Sequence, residues 1–396
     1  MTERVFPTRE VVAWIAGFIL VAGLIVGTGF TSADPDSALY AGIASRLSEE
    51  PVARWVAPEW WGFWPDANLS GLFLEHPGGV FLLPAALARV GIPAEQAAYV
   101  VGVAAGLLSL LLLAALIREI GSTRDARAAL ILLQFLPVAF IFRIRANHEF
   151  PMLACLLLTV LGLQRVQYSW WWVSAVALGL VGGLLIKGVF VSLILLAAGL
   201  WIVIGPAVDE STRRRAWTAL AVGVLAAAAA AAVWDTAYVN ATGQTFWTSY
   251  WARQLGSVTV ASHTGDLAAL VERGGFYVLR LLWHPAPWSL ALLWIAWRRP
   301  NAGHLSTDAR RALRFAIVFA SLAVILLSLP SRFAERYAFS PAFIIGAAGA
   351  VSASRYWSGL GAALARADER VPLLPIAVWT ALAVSRLVLG PVLPRI

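Results

Sequence analysis

The sequence predicts an all-α polytopic membrane protein, and three observations carry that prediction. Of its 396 residues, 60% are hydrophobic and only 13% are charged, where soluble domains carry roughly a quarter charged residues. Apolar stretches of about 20 residues, enough to cross a hydrocarbon core of about 30 Å, recur along the whole chain. The dense arginine clusters fall in the short segments between those stretches, the pattern of cytoplasmic loops.

Taken in order, the start MTERVFPTRE precedes an apolar run with no A-x-A-like cleavage site, so it reads as an uncleaved first span over 11–30. Further spans are expected near 96–117, 127–144, 150–164, 170–186, 188–205, 216–234, 275–297, 314–330, 337–353 and 371–393. The segment 72–90 (LFLEHPGGVFLLPAALARV) fits either a span or a short helix lying in the interface. Charge decides between them. With 72–90 outside the bilayer and the N-terminus cytoplasmic, the inside receives Arg4, Arg9, Arg118, Arg124, Arg127, Arg165, Arg213, Arg214, Arg215, Arg298, Arg299, Arg310, Arg311, Arg314, Arg355, Arg366 and Arg370. A spanning 72–90 would put the later clusters outside, against the positive-inside rule. The expectation is therefore about eleven transmembrane helices, with juxtamembrane helices in a first extracytoplasmic loop, 31–95, and a second long loop at 235–274.

Composition closes off other classes. Cys155 is the single cysteine, so no intramolecular disulfide forms and no thiol metal cluster is implied. The net charge of +8 is explained by arginine in cytoplasmic loops rather than by a nucleic-acid partner. Neither a repeat nor a linker divides residues 1–396, which read as one transmembrane domain. The alanine run 225–232 reads as a helix face packed closely on a neighbour.

Polar residues converge on the side opposite the arginine clusters. The first outer loop holds Asp34, Asp36, Tyr40, Glu75 and His76; the next outer turn, FRIRANHEFP, holds Arg143, Arg145, His148 and Glu149. Lys187, the single lysine, ends a span in LLIKGVF, and the late turn SRFAERYAFSP supplies Arg332, Glu335, Arg336 and Tyr337. His263 and His284 fall on the same side. Each has a plain alternative. Asp34 and Asp36 suit the cap and first turn of a helix beginning near Ser37. Lys187, Arg143 and Arg145 suit snorkelling cations, and Arg332, Arg336 and Glu335 a surface ion network. Trp55, Trp60, Trp61 and Trp64 fit an interface belt more readily than a sugar-stacking platform. As a set, acids and cations at several helix ends suggest one shared outward cavity, because charges at membrane depth face a cavity or a partner.

Carboxylates beside cations at a membrane surface suit attack by a hydroxyl on a sugar held by a lipid phosphate. A carboxylate takes the acceptor's proton, and arginine and lysine stabilise the charge growing on the departing phosphate. A divalent metal (Mg²⁺, Mn²⁺ or Zn²⁺) is the other means of clamping a phosphate, with Asp36, Glu149 and His148 the candidate ligands. The partners expected are a polyprenyl-phosphate-linked sugar, an acceptor lipid, glycan or protein, and the bilayer.

At these residues the chain resembles the GT-C membrane glycosyltransferases, in particular the aminoarabinose (lipid A) transferases and protein O-mannosyltransferase-like enzymes. DPDSALYAGIASRL is similar to the family's first-loop acidic motif, and LEHPGGVFLLPAAL to its Glu-Lys-Pro-Pro segment. RIRANHEFPMLACLLL resembles the second-loop acidic motif, and LLIKGVFVSLILL the Leu-x-Lys-Gly-Pro turn. HTGDLAALVERGGFYVLRLLWHPAPW and ERYAFSPAF resemble the late loop and the Arg-Tyr…Pro turn. The resemblance implies Asp36 as the catalytic acidic position, Glu149 as the second acidic site, Lys187 as the donor-phosphate lysine and Arg336 as the late arginine. It implies inverting transfer from a polyprenyl-phosphate sugar, on the extracytoplasmic face of a bacterial plasma membrane. The chain departs from the pattern at Ser37 (often Glu), His76 (often Lys), Gly78 and Val189 (Pro) and Glu149 (usually Asp). Two rival readings are a lipid-linked-sugar transporter or flippase, expected to carry mid-membrane charges and inverted repeats, and a catalytically silent assembly protein on the same scaffold.

Overall fold

A computed structural model describes residues 8–32, 34–60, 71–206, 209–259, 267–298, 306–330, 334–370 and 373–389. Among them the chain is helical, with one isolated antiparallel bridge between Glu59 and Leu72. By length and hydropathy, six helical stretches among the described residues suffice to cross a membrane: Arg9–Gly27, Ala94–Ile120, Trp172–Ile204, Glu210–Thr242, Thr307–Ser328 and Glu335–Tyr356. That is fewer than the eleven spans expected. Several of the expected spans are broken, short or folded back.

The first helix, α1 (Thr8–Gly27), buries Trp14, Val21 and Ile25 and sets Trp14 edge-on to Trp379 of the last helix, α17 (Leu374–Leu389), at 5.8 Å between ring centroids. Next come α2 (Pro35–Glu49) and α3 (Gly79–Arg89). The second is only about 16 Å long, too short to cross the bilayer, as the charge argument required. A side chain at Gly79 would strike the Leu185 carbonyl, so glycine lets α3 press against a later span.

Helix α4 (Ala94–Ile120) is long and mostly buried. The expected span 127–144 is two helices, α5 (Thr123–Leu133) and α6 (Pro137–Phe142), because Pro137 lacks the N–H that would carry α5 onward. Helix α7 (Glu149–Arg165) packs antiparallel on α8 (Trp172–Lys187), with Gly162 against Val176 and Gly179 against Cys155 and Thr159. Helix α9 (Val191–Ile204) folds back on both. Gly183 meets Ile194, and Trp201 Nε1 donates to Gln164 Oε1 (3.1 Å) near the far end of α7. The stretch Trp172–Ile204 is thus a helical hairpin whose tip is Lys187–Phe190.

Helix α10 (Glu210–Thr242) outruns the expected span 216–234 by several turns. Its alanine run is mostly exposed or half-buried; the close approach lies earlier, where Gly223 meets Val176 and Leu180. The expected second loop contains α11 (Phe246–Thr259), whose first amides, Phe246 N and Trp247 N, donate to Asp235 Oδ1 (2.7 and 3.2 Å). The expected span 275–297 is divided at His284–Pro287 between α12 (Leu267–Trp283) and α13 (Trp288–Trp297). Helices α14 (Thr307–Ser328), α15 (Phe339–Tyr356) and α16 (Ser358–Arg370) precede α17.

The two ends of the bundle differ in chemistry. At one, Glu10 accepts from Arg118 (2.6 Å) and Arg127 (2.8 Å), Arg165 faces Glu119 (3.1 Å) and Arg355 faces Asp125 (2.7 Å). At the other, about 24 Å away along α7, lies a polar cavity.

Candidate functional site

Three local structures place the principal side chains. Pro35 and Asp34 start α2: the fixed proline φ suits the first helical position, and Asp34 Oδ2 accepts from Ser37 N (3.0 Å) and Ser37 Oγ (2.7 Å). This sets Asp36 in the first turn and Tyr40 one turn further on the same face. Second, α7 begins at Glu149, with His148 immediately before it. Third, α8 ends at Lys187 and the chain reverses at Gly188 with φ +56°, a conformation glycine adopts without a Cβ penalty. Tyr250 Oη accepts from Val189 N (2.9 Å) and fills the space a side chain at 188 would need.

A cavity of about 1000 Å³, open to solvent, is lined by Asp36, Tyr40, Glu75, His76, His148, Lys187, Arg253, Gln254, Arg336 and Tyr337, with aromatic walls including Trp60, Phe73, Phe190 and Tyr250. Its cations are matched by carboxylates. Arg336 pairs with Asp36, Lys187 Nζ lies 3.4 Å from Glu149 Oε1, and Arg253 Nε donates to Glu75 Oε1 (2.6 Å). The Lys187 ammonium also stands 4.5 Å from the Phe190 ring centroid and 5.0 Å from that of Tyr337, within cation–π range.

In the cavity wall, Tyr40 Oη is 2.8 Å from His76 Nε2 and 2.9 Å from His148 Nδ1; His76 Nδ1 is 2.9 Å from the Pro77 carbonyl. His148 Nε2 lies 2.9 Å from Glu149 Oε1. Burial, helped by the neighbouring His148, pushes the His76 imidazole down to about 3, and burial together with Glu149 holds the Tyr40 phenol well above its usual range.

The structure thus gathers Asp36, Tyr40, Glu75, His76, His148, Lys187, Arg336 and Tyr337 around one space, with Glu149 directly behind Lys187. Other sequence candidates lie elsewhere. Asp34 is a helix cap that faces Arg145 (3.5 Å). Arg145 stacks over Phe142, 4.6 Å from its centroid. Arg143 is buried and donates to Gln134 Oε1 (2.6 Å) and Gln134 O (2.9 Å), away from the cavity. His263 and Arg332 lie outside the described residues, as do Trp61 and Trp64. Trp60 lines the cavity, while Trp55 packs against Arg89 (4.9 Å). Tyr250, Arg253 and Gln254 are cavity residues that sequence reading passed over. Their signal was the i, i+3, i+4 spacing in FWTSYWARQL, hidden because the segment was read as a loop.

The donor set does not suit the metal considered from sequence. Among the described residues no three His, Cys, Asp or Glu side chains gather as ligands. Of the three candidates, Asp36 is taken by Arg336, and Glu149 and His148 face one another beside Lys187. A divalent ion there would meet the Lys187 and Arg336 cations beside those carboxylates.

Fold and cavity together define a multi-helix membrane protein with a charged, solvent-open cavity at one end of its bundle. Residues 75–234 match the dolichyl-phosphate-mannose-protein mannosyltransferase family. The fold matches the crystal structure of ArnT from Cupriavidus metallidurans in the apo state, with TM-score 0.63 and 18% identity over 97% of this chain and 70% of that one. ArnT from the same organism bound to undecaprenyl phosphate matches equally, with TM-score 0.63 and 18% identity over 98% and 71% of the two chains. The oligosaccharyltransferase of Archaeoglobus fulgidus in complex with Zn and sulfate is a looser match, at TM-score 0.40 and 14% identity over 94% of this chain and 53% of that one. No curated protein matches the chain significantly in sequence.

Proposed function

We propose that this protein is a membrane glycosyltransferase that moves a sugar from a polyprenyl-phosphate donor to an acceptor hydroxyl, on the extracytoplasmic face of a bacterial plasma membrane. One observation carries the reading: carboxylates and cations from separate segments (α2, the turn before α7, the α8–α9 tip and the turn before α15) share one solvent-open cavity at the bundle end remote from the arginine clusters. The ArnT structure with bound undecaprenyl phosphate supports the donor class.

The chemistry assigned to the site is a single displacement. The acceptor oxygen forms a bond to the anomeric carbon as the bond from that carbon to the phosphate oxygen breaks, inverting the centre. Asp36 accepts the acceptor's proton as general base. Lys187 and Arg336 hold the phosphate and stabilise the charge it gains on leaving as polyprenyl phosphate. Both cations sit in carboxylate pairs, so donor binding trades protein–protein ion pairs for protein–phosphate ones. Asp34 is given no part in this chemistry. The placement of the charged groups at the ends of the spans rather than midway along them favours transfer at a surface over carriage across the bilayer. Mass spectrometry of cell-envelope glycans and glycolipids, with and without the protein, tests the reading. A glycan or lipid species that loses one sugar when the protein is absent supports it, and an unchanged envelope contradicts it.

A further inference from the structure

The innermost contacts of the cavity form one unbroken series: the Pro77 carbonyl, His76, Tyr40, His148, Glu149 and Lys187. The proton on each atom follows from donor and acceptor capacity. The Pro77 carbonyl only accepts, so His76 carries its proton on Nδ1 and leaves Nε2 as an acceptor. Tyr40 has one hydroxyl proton, which must go to His76 Nε2. The Tyr40 oxygen then accepts from His148, so His148 is protonated on Nδ1. Its Nε2 lies 2.9 Å from Glu149 Oε1, an electrostatic contact whose alignment is not that of a hydrogen bond. A second proton on that nitrogen would make His148 an imidazolium facing the Glu149 carboxylate.

We infer that Tyr40 and His76 are positioning residues that hold His148 as the standing partner of Glu149, leaving Lys187 free to turn to the donor phosphate. This rests on the proposed function, which supplies the phosphate. His148 Nε2 is the nearer neighbour of Glu149 Oε1, at 2.9 Å, while Lys187 Nζ donates to the same oxygen from 3.4 Å. Glu149 is buried, and its other oxygen, Oε2, has no partner. With Lys187 as its sole companion, the carboxylate would be stranded whenever the lysine moved, which buried charges do not tolerate. Phe190 and Tyr337, whose rings flank the ammonium, line the cavity and mark the direction in which Lys187 turns. The arrangement also depends on this chain's own residue at 76. The lysine common in the resembling family has donors only and cannot accept from the Tyr40 hydroxyl.

The test titrates sugar-free undecaprenyl phosphate into the purified full chain in detergent, comparing wild type with Tyr40→Phe, His148→Phe and His148→Gln, and records ¹⁵N spectra of histidine-labelled wild type. Expected are wild-type binding, a loss of about tenfold in affinity for Tyr40→Phe and more for His148→Phe, and recovery in His148→Gln, which keeps an N–H for Glu149. A merely structural role would lower the melting temperature of all three without separating Gln from Phe. Equal affinity of wild type, Tyr40→Phe and His148→Phe overturns the inference, and so does a His148 Nδ1 without a proton. Should the wild type bind no undecaprenyl phosphate, the proposed donor falls instead, and the histidine spectrum alone decides the relay, as it does if the variants fail to fold.

Discussion

Lys187 Nζ stands 3.4 Å from Glu149 Oε1, bringing the last residue of α8 against the first residue of α7 at the tip of the α8–α9 hairpin. Neither side chain can reach the membrane surface as a snorkelling residue does, because both are buried. The ammonium that sequence alone left between headgroup and substrate is turned inward, to a carboxylate and two aromatic faces.

Lys187→Met tests what that ammonium does. The Glu149 carboxylate keeps His148, so the fold survives, while affinity for polyprenyl phosphate falls at least tenfold, about 1.4 kcal/mol. Binding and thermal unfolding on one preparation separate the two effects. Unchanged affinity makes Lys187 a structural ion-pair member only.

Asp34 and Asp36 stand two positions apart but do different things. Asp34→Ala removes the oxygen that accepts from Ser37 N and Ser37 Oγ. The expected cost is about 1 kcal/mol of stability, with sugar transfer retained. Thermal unfolding and a transfer assay check it, and abolished transfer in a folded variant would place Asp34 in the chemistry.

Gly188→Ala strains the hairpin tip twice over, through a φ of +56° and through contact with the Tyr250 ring and hydroxyl. A loss of about 1–3 kcal/mol is expected, read from the unfolding midpoint, together with weaker donor binding as Lys187 is displaced. A Gly188→Ala variant as stable as wild type contradicts this reading of the turn.

Acid should weaken the fold through His76. Its folded-state value, about 3, lies well below the ordinary histidine value of 6.5 because burial disfavours the imidazolium. The unfolded chain therefore binds the extra proton between those values. Stability from this residue is complete above pH 6.5 and is lost as pH falls toward 3, at up to about 1.4 kcal/mol per pH unit. His76→Gln should flatten the fall in melting temperature between about pH 6.5 and pH 4; an identical slope in the variant removes His76 as its source.

Much of this architecture was legible in the sequence. Apolar run length located α1, α4, α7, α8, α9, α14 and α15 closely, and arginine placement led to reading α3 as a short non-spanning helix, which its 11 residues suit. The failures have physical causes. Pro137 and the His284–Pro287 segment divide stretches whose hydropathy is continuous, because hydropathy does not register a missing amide donor. Helix α11 escaped notice because its aromatic and polar residues serve a cavity wall instead of lipid. In the site, residue type pointed to Asp36, His148 and Lys187, but type alone did not separate the buried Arg143, held by Gln134, from the cavity cations. That distinction is one of direction, set by packing.

The central claim is tested most directly by Asp36→Asn, the change of one oxygen in the carboxylate that faces Arg336. Purified wild type and variant are compared for transfer from a polyprenyl-phosphate sugar to acceptor in an envelope extract. The account predicts a folded Asp36→Asn variant that still binds polyprenyl phosphate but turns over at least about 10²–10⁴-fold more slowly, the usual worth of a general base. Full turnover by that variant would contradict it.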